Sequence, residues 1–275
     1  MRNLTEENLT DAVLASLAAC GDARLKDVMT SLFRHLHAFV REIEPTPEEW
    51  FAGIRFLTET GKMCDDKRQE FILLSDTWGV SMLVDAINNR KQAGATESSV
   101  LGPFYVDGAP EKNTGADLAP DEGPGVTVRG KVRTPDGRPL ANATLDVWQT
   151  APNGLYHMQD AGQDEYHLCG KVRTAADGSY RFRTLKPVSY SIPTDGTVGK
   201  WLGWVGRHPY RPAHIHFIVS APGCRPVVTQ LFTEGDAYLE SDAVFAVKNS
   251  LVVKYEPAGG EWTVDHDFVL EPAVA

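Results

Sequence analysis

The apolar pattern of this chain changes its period near Val126, and that change limits the folds open to it. Before it, Leu25, Val28, Met29, Leu32, Phe33, Leu36, Phe39 and Val40 recur at three- and four-residue intervals, which gathers them on one side of an α-helix. After it, residues 126–132, 144–148 and 180–184 form short alternating runs separated by Pro135-Asp136-Gly137 and Asp177-Gly178. Those are strands joined by tight turns. Further strands are expected over 214–220, 227–232 and 263–270. Helices followed by a succession of strands make an α+β chain, with the strands stacked as a β-sandwich.

Within the helical part, Thr46-Pro47-Glu48-Glu49 supplies an N-cap, a first-turn proline and a capping-box glutamate, which starts a helix carrying Trp50, Ile54 and Leu57. One more helix is expected over 66–89, with Phe71, Leu74, Trp78 and Val84 among its apolar positions. His35 and His37, two residues apart on a helix, point to different faces and are read as surface residues. Residues 107–125 are rich in Pro, Gly and Asp without periodicity and are expected to be a surface loop. The division that results is a helical and linker region, 1–106, and a β-sandwich domain, 107–275. The apolar stripe at 25–40 needs a partner, either the rest of the chain or a second copy.

Composition excludes several classes. At 275 residues, with 42% apolar and 23% charged residues, the chain can bury a core without staples. A net charge of −10 argues against a nucleic-acid backbone as partner. Cys20, Cys64, Cys169 and Cys224 are scattered with no CxxC spacing, which suggests reduced thiols. The first residues are too acidic and amphipathic for a signal peptide, and no apolar run reaches membrane-spanning length. A cytoplasmic setting without membrane insertion is expected.

The chemistry concentrates in 186–217. His214 and His216 stand one residue apart in an expected strand, so both project from one face, with Ile215 and Phe217 on the other. Such a pair is either two solvated imidazoles or half of a metal site, and imidazole suits zinc, copper, iron and nickel alike. Tyr190 lies in a Pro-flanked loop, and Tyr156 closes the turn-like Pro152-Asn153-Gly154-Leu155-Tyr156. No cysteine, aspartate or glutamate here has ligand-like spacing to the histidines. Two phenolates with two imidazoles would favour a hard trivalent cation, Fe(III) being the plausible biological one.

The residues also carry a resemblance. Leu101-Gly102-Pro103-Phe104-Tyr105, Leu145-Asp146-Val147-Trp148-Gln149 and Gly154-Leu155-Tyr156 follow one another in the chain. After them come 186–196, 211–216 and Thr229-Gln230. In order and spacing this resembles the intradiol ring-cleaving dioxygenases of the catechol 1,2-dioxygenase family, and among them the hydroxyquinol-cleaving branch. The resemblance implies a non-haem Fe(III) held by Tyr156, Tyr190, His214 and His216, with Tyr190 also serving as a base. It implies that Arg211 stabilises negative charge beside the substrate ring and that Gln230 hydrogen-bonds near the reacting carbon.

By family position, Leu73, Asp76, Val100, Leu101 and Gly102 line the ring on one side, and Pro103, Phe104, Ile192, Pro193 and Val244 complete the pocket. Ser191-Ile192 favours hydroxyquinol over catechol, and Asp76 is either the acceptor for the third hydroxyl or a helix-surface aspartate. The implied reaction joins dioxygen to hydroxyquinol and yields 3-hydroxy-cis,cis-muconate, the enol of maleylacetate. Catechol or a substituted catechol is the alternative substrate. The implied assembly is a homodimer through the N-terminal helices, with a phospholipid in an interface tunnel; a plain core helix fits the stripe equally well. Residues 126–190 alone also resemble prealbumin-like sandwich modules with no catalytic role.

Overall fold

A computed structural model of the chain describes residues 2–90, 94–120 and 123–273. Its contacts divide it into two compact units, Met1–Thr58 and Glu59–Ala275.

In the first unit, α1 (Leu9–Ala15) and α2 (Ala23–Ile43) precede the start of α3 (Pro47–Lys62). Asp22 caps α2 by accepting from the Leu25 N–H at 2.9 Å, and Glu44 ends it in the left-handed region. The capping box of α3 is formed in both directions: Thr46 N–H donates to the Glu49 carboxylate (2.8 Å) and Glu49 N–H to Thr46 Oγ1 (3.2 Å). The apolar stripe of α2 exists, yet no residue of α2 is buried. His35 is exposed, but His37 is half-buried with Nδ1 3.0 Å from Thr10 Oγ1. The reading of His37 as a surface residue is therefore corrected: it ties α2 to α1.

In the second unit, the single helix expected over 66–89 is two, α4 (Glu70–Thr77) and α5 (Val80–Asn88). Gly79, at φ +73, breaks it, because a left-handed residue cannot continue a right-handed helix. The start is also later, since Asp65 Oδ1 accepts from the N–H groups of Lys67 and Arg68 (both 2.7 Å) and turns the chain there.

Two sheets follow. One contains, in spatial order, β1 (Glu111–Asn113), β5 (Gly170–Arg173), β4 (Thr144–Trp148), β9 (His214–Ser220), β10 (Val227–Thr233) and β11 (Val252–Val253). The other runs β12 (Glu256–Ala258), β13 (Glu261–Asp265), β3 (Gly125–Arg133), β6 (Ser179–Leu185) and β2 (Ala116–Asp117), with β14 (Phe268–Val269) also paired to β3. Between them Val126, Val128, Phe182, Ile215, Phe217, Val219 and Phe268 form one buried cluster, the α+β sandwich that the change of period implied.

The stretch 107–125 is not wholly loop: β1 and β2 dock parallel to β5 and β6. Asp121 and Glu122 of that stretch lie outside the described residues. The strand expected over 263–270 is interrupted at His266 and Asp267, where the chain crosses Gly130 so closely that a Cβ there would meet the His266 carbonyl oxygen at 1.8 Å.

Two elements near the site had no periodic signal. The ribbon β7 (Tyr190–Ser191) and β8 (Tyr210–Arg211) sets Tyr190 opposite Arg211. Between its strands runs α6 (Thr197–Trp204), whose first turn is held by the buried Glu70 carboxylate accepting from the Val198 N–H at 3.0 Å. Among the described residues no helix is long and apolar enough to cross a membrane.

Candidate metal centre

Strand alternation builds half of the site. On β9, Ile215, Phe217 and Val219 enter the sandwich core, while His214 and His216 are buried on the opposite face. Tyr156 arrives from its turn, where Gly154 sits at φ +80 with Tyr190 Cβ only 3.1 Å from where a side chain would begin. Tyr190 arrives from β7. The four are brought together: Tyr156 Oη lies 3.0 Å from Tyr190 Oη and 2.9 Å from His216 Nε2, and His216 Nε2 lies 3.0 Å from His214 Nε2.

These distances bear on whether a metal fits. Donors about 2 Å from one metal and roughly at right angles are themselves about 2.9 Å apart, so the spacing suits a shared cation. The tautomer agrees. His214 Nδ1 faces the Pro212 carbonyl at 2.7 Å and donates to it, which leaves Nε2 as the lone pair pointing into the cluster. Trp148 stacks on His216 at 4.6 Å with ring planes 11° apart and sets that ring's orientation. Among the described residues no group of three or more His, Cys, Asp and Glu side chains converges.

Electrostatics sharpen the donor set. Burial, together with nearby Arg211, holds both imidazoles well below their ordinary pKa and therefore neutral. Burial and the neighbouring Tyr190 push the Tyr156 phenol well up, so an anion at that oxygen calls for a cation beside it.

Arg211 is the buried cation of the site. Its Nη1 donates toward His214 Nε2 (3.1 Å) and lies 3.5 Å from Tyr190 Oη, and its Nη2 donates to Gln230 Oε1 (2.7 Å). Gln230 in turn donates to the Val100 carbonyl at 2.6 Å. Burial opposes the charge on Arg211, but the Asp242 carboxylate, 3.1 Å from Nε, and the Tyr190 and Tyr156 oxygens together outweigh it and raise the guanidinium pKa. Asp242 also accepts from the N–H groups of Val244 (3.3 Å) and Ala246 (3.0 Å). Asp242 and Trp148 escaped sequence reasoning as contributors to the site. Trp148 sits on β4, paired with His216, so its approach follows from sheet order alone.

A cavity opens onto this cluster. Leu73, Asp76, Leu101, Gly102, Pro103, Phe104, Ile192 and Val244 wall it, together with Tyr156, Tyr190, Arg211 and His216. Two expected pocket residues stand elsewhere. Val100 packs with Phe232 and Leu251 in a neighbouring apolar cluster, and Pro193 lines an adjoining cavity beside Arg68 and Met158. Phe104 stacks on the Tyr156 ring at 4.9 Å and borders both cavities. Asp76 is not a surface residue: it is 2% exposed, and burial raises its carboxyl pKa to about 6 against the opposing pull of Ser81 and Arg211.

Residues 100–272 match the family model described as "Dioxygenase", and 22–96 match that of the catechol dioxygenase N terminus. The chain is 49% identical to the hydroxyquinol 1,2-dioxygenase of Rhizobium sp. (strain MTP-10005), covering 96% of this chain and 95% of the relative. It is 48% identical to the 6-chlorohydroxyquinol 1,2-dioxygenase of Cupriavidus pinatubonensis (strain JMP 134), covering all of both. The crystal structure of hydroxyquinol 1,2-dioxygenase from Pseudomonas putida DLL-E4 superposes with a TM-score of 0.92 at 48% identity, covering 98% of this chain and 99% of that one. The chain thus belongs to the intradiol ring-cleavage dioxygenase family.

Proposed function

We propose that the chain cleaves hydroxyquinol with dioxygen between the carbons bearing the adjacent hydroxyls, giving 3-hydroxy-cis,cis-muconate, the enol of maleylacetate. The observation that carries this is the meeting of two phenol oxygens and two imidazole nitrogens, 2.9–3.0 Å from one to the next, beside a cavity with a buried carboxyl. Tyr156, Tyr190, His214 and His216 would hold Fe(III). Fe(III) held there would supply the electron withdrawal that makes a catecholate ring reactive toward dioxygen.

The remaining roles fall to the chain's own groups. Tyr190 Oη, with Arg211 Nη1 3.5 Å away, takes up a substrate hydroxyl proton. Arg211, kept charged and fixed by Asp242, offers a preorganised cation to negative charge developing on the ring. Gln230 accepts from Nη2, the guanidinium nitrogen that Asp242 also reaches at 3.4 Å, and is assigned the hydrogen bond near the reacting carbon. Asp76 receives the third hydroxyl of hydroxyquinol, and a site built to pair a hydroxyl discriminates strongly against a ring that lacks it.

The helical region 1–106 serves dimerisation and also lends Leu73, Asp76 and residues 101–104 to the cavity of the catalytic sandwich, 107–275, in a cytoplasmic homodimer of aromatic catabolism. Glu6, Leu9, Leu36, Val40, Trp50 and Leu57 border an apolar groove in the first unit that suits a phospholipid chain.

Oxygen uptake decides the substrate. Hydroxyquinol is expected to be consumed faster than catechol; the reverse order transfers the activity to catechol. An iron content near zero in active preparations contradicts the proposed ligand set, and an iron-free protein with no uptake leaves the non-catalytic sandwich.

A further inference from the structure

Tyr190 and His214 come from separate segments, and each is preceded by a group bonded to the same oxygen atom of one carboxylate. Asp236 Oδ2 accepts from Ser189 Oγ at 2.5 Å and from the Ala213 N–H at 3.0 Å. Its other oxygen accepts from the Tyr238 N–H at 2.9 Å, an Asx turn that fixes the rotation of the carboxylate. Gly235, at φ +78, turns the chain after β10, and Thr233 at the end of that strand donates its N–H to the Ala213 carbonyl at 2.9 Å. The turn therefore folds back over the residues that lead into both donors.

We propose that Asp236 is a positioning residue, which sets the separation of Tyr190 from His214 by holding Ser189 and Ala213 on one carboxylate oxygen. The inference rests on the reading of Tyr190 and His214 as iron ligands. The backbone pairing at Tyr190 is short. The β7–β8 ribbon is two residues a side and aligns Tyr190 with Arg211, not with His214. A ligating group must be held to within about 0.5 Å, which a ribbon this short cannot secure by itself. Bonds to an ionised acceptor are shorter and roughly twice as strong as neutral ones, which suits a carboxylate to this task.

The test compares wild type with Asp236→Ala, Asp236→Asn, Ser189→Ala and the Asp236→Ala/Ser189→Ala double variant. Three quantities are read: iron retained during dialysis against a chelator, the visible tyrosinate-to-iron band, and the melting temperature of the chelator-stripped chain. Asp236→Ala is expected to weaken iron retention by about 10- to 100-fold and to shift the band. Asp236→Asn recovers part of this through its amide oxygen. Ser189→Ala shifts the band with an unchanged stripped melting temperature, and the double variant is no worse than Asp236→Ala, since both changes remove one shared contact.

Asp236→Ala and Ser189→Ala proteins that keep wild-type retention and colour overturn the inference, whatever happens to their melting temperatures. If Asp236→Ala fails to fold, Ser189→Ala alone decides by the same criterion. A wild-type chain that binds no iron overturns the reading of the site and the inference with it; iron bound equally by all variants overturns the inference alone.

Discussion

Helix α2 and strand β9 carry apolar patterns of equal clarity and end in opposite surroundings. On β9, Ile215, Phe217 and Val219 are almost fully enclosed. On α2, Leu25, Leu32 and Phe39 remain 49–53% exposed. Periodicity tells which side chains share a face, and it is silent on what that face meets. For β9 the partner is the second sheet of the same chain. For α2 the unit it belongs to leaves Leu25, Leu32 and Phe39 about half exposed. The same contrast separates tasks: β9 carries two of the four donors, His214 and His216, and α2 carries none.

Breaking the comparison from the β9 side should give the largest effect. Asp242→Ala leaves the Arg211 guanidinium buried without its carboxylate, and removing one partner of such a pair costs about 3–5 kcal/mol. Urea denaturation of the metal-free chain should show that loss together with a lower kcat/KM; stability within about 0.5 kcal/mol of wild type would mean the pair is not isolated from solvent.

Next comes Asp76, whose carboxyl is lifted in the folded chain from its ordinary 3.8 to about 6. A raised carboxyl binds its proton more tightly when folded, so its contribution is fully present below about 4 and is lost as pH rises through about 6. The metal-free protein should lose up to about 3 kcal/mol over that window, and Asp76→Asn should flatten the profile. An identical pH profile in the variant would show that Asp76 is solvated. The same variant should lower the preference for hydroxyquinol over catechol.

The smallest effect on stability is expected from α2. Phe39→Glu should change the unfolding free energy by no more than about 0.5 kcal/mol while shifting sedimentation from dimer toward monomer. A large loss of stability with an unchanged sedimentation coefficient would assign the stripe to the chain's own core and erase the contrast with β9.

Much of this molecule was legible in its residues because the informative features are local. The His-x-His alternation of β9, the capping box at Thr46 and the Asp-Gly turns each act within a few residues. The break between α4 and α5 was also local, at Gly79, but a glycine inside an apolar helical pattern does not by itself declare a left-handed backbone. What escaped is tertiary. Strands β1 and β2 take their parallel partners from about 60 residues further on, and nothing in so short a segment signals them. Asp236 and Asp242 lie in a stretch without period and matter only through what folds against them. Val100 and Pro193 neighbour true cavity residues in sequence, and adjacency along the chain did not carry them to the wall.

The double use of β9 has one more consequence. Its seven residues serve the oily interior with one row of side chains and carry His214 and His216, the proposed iron ligands, on the other, so the backbone cannot yield on one side alone. Heat that loosens the stacked sheets should eject the metal in the same step. Bleaching and melting would then trace one curve, and chemically capturing the released ion would make inactivation irreversible at the temperature where the fold itself gives way.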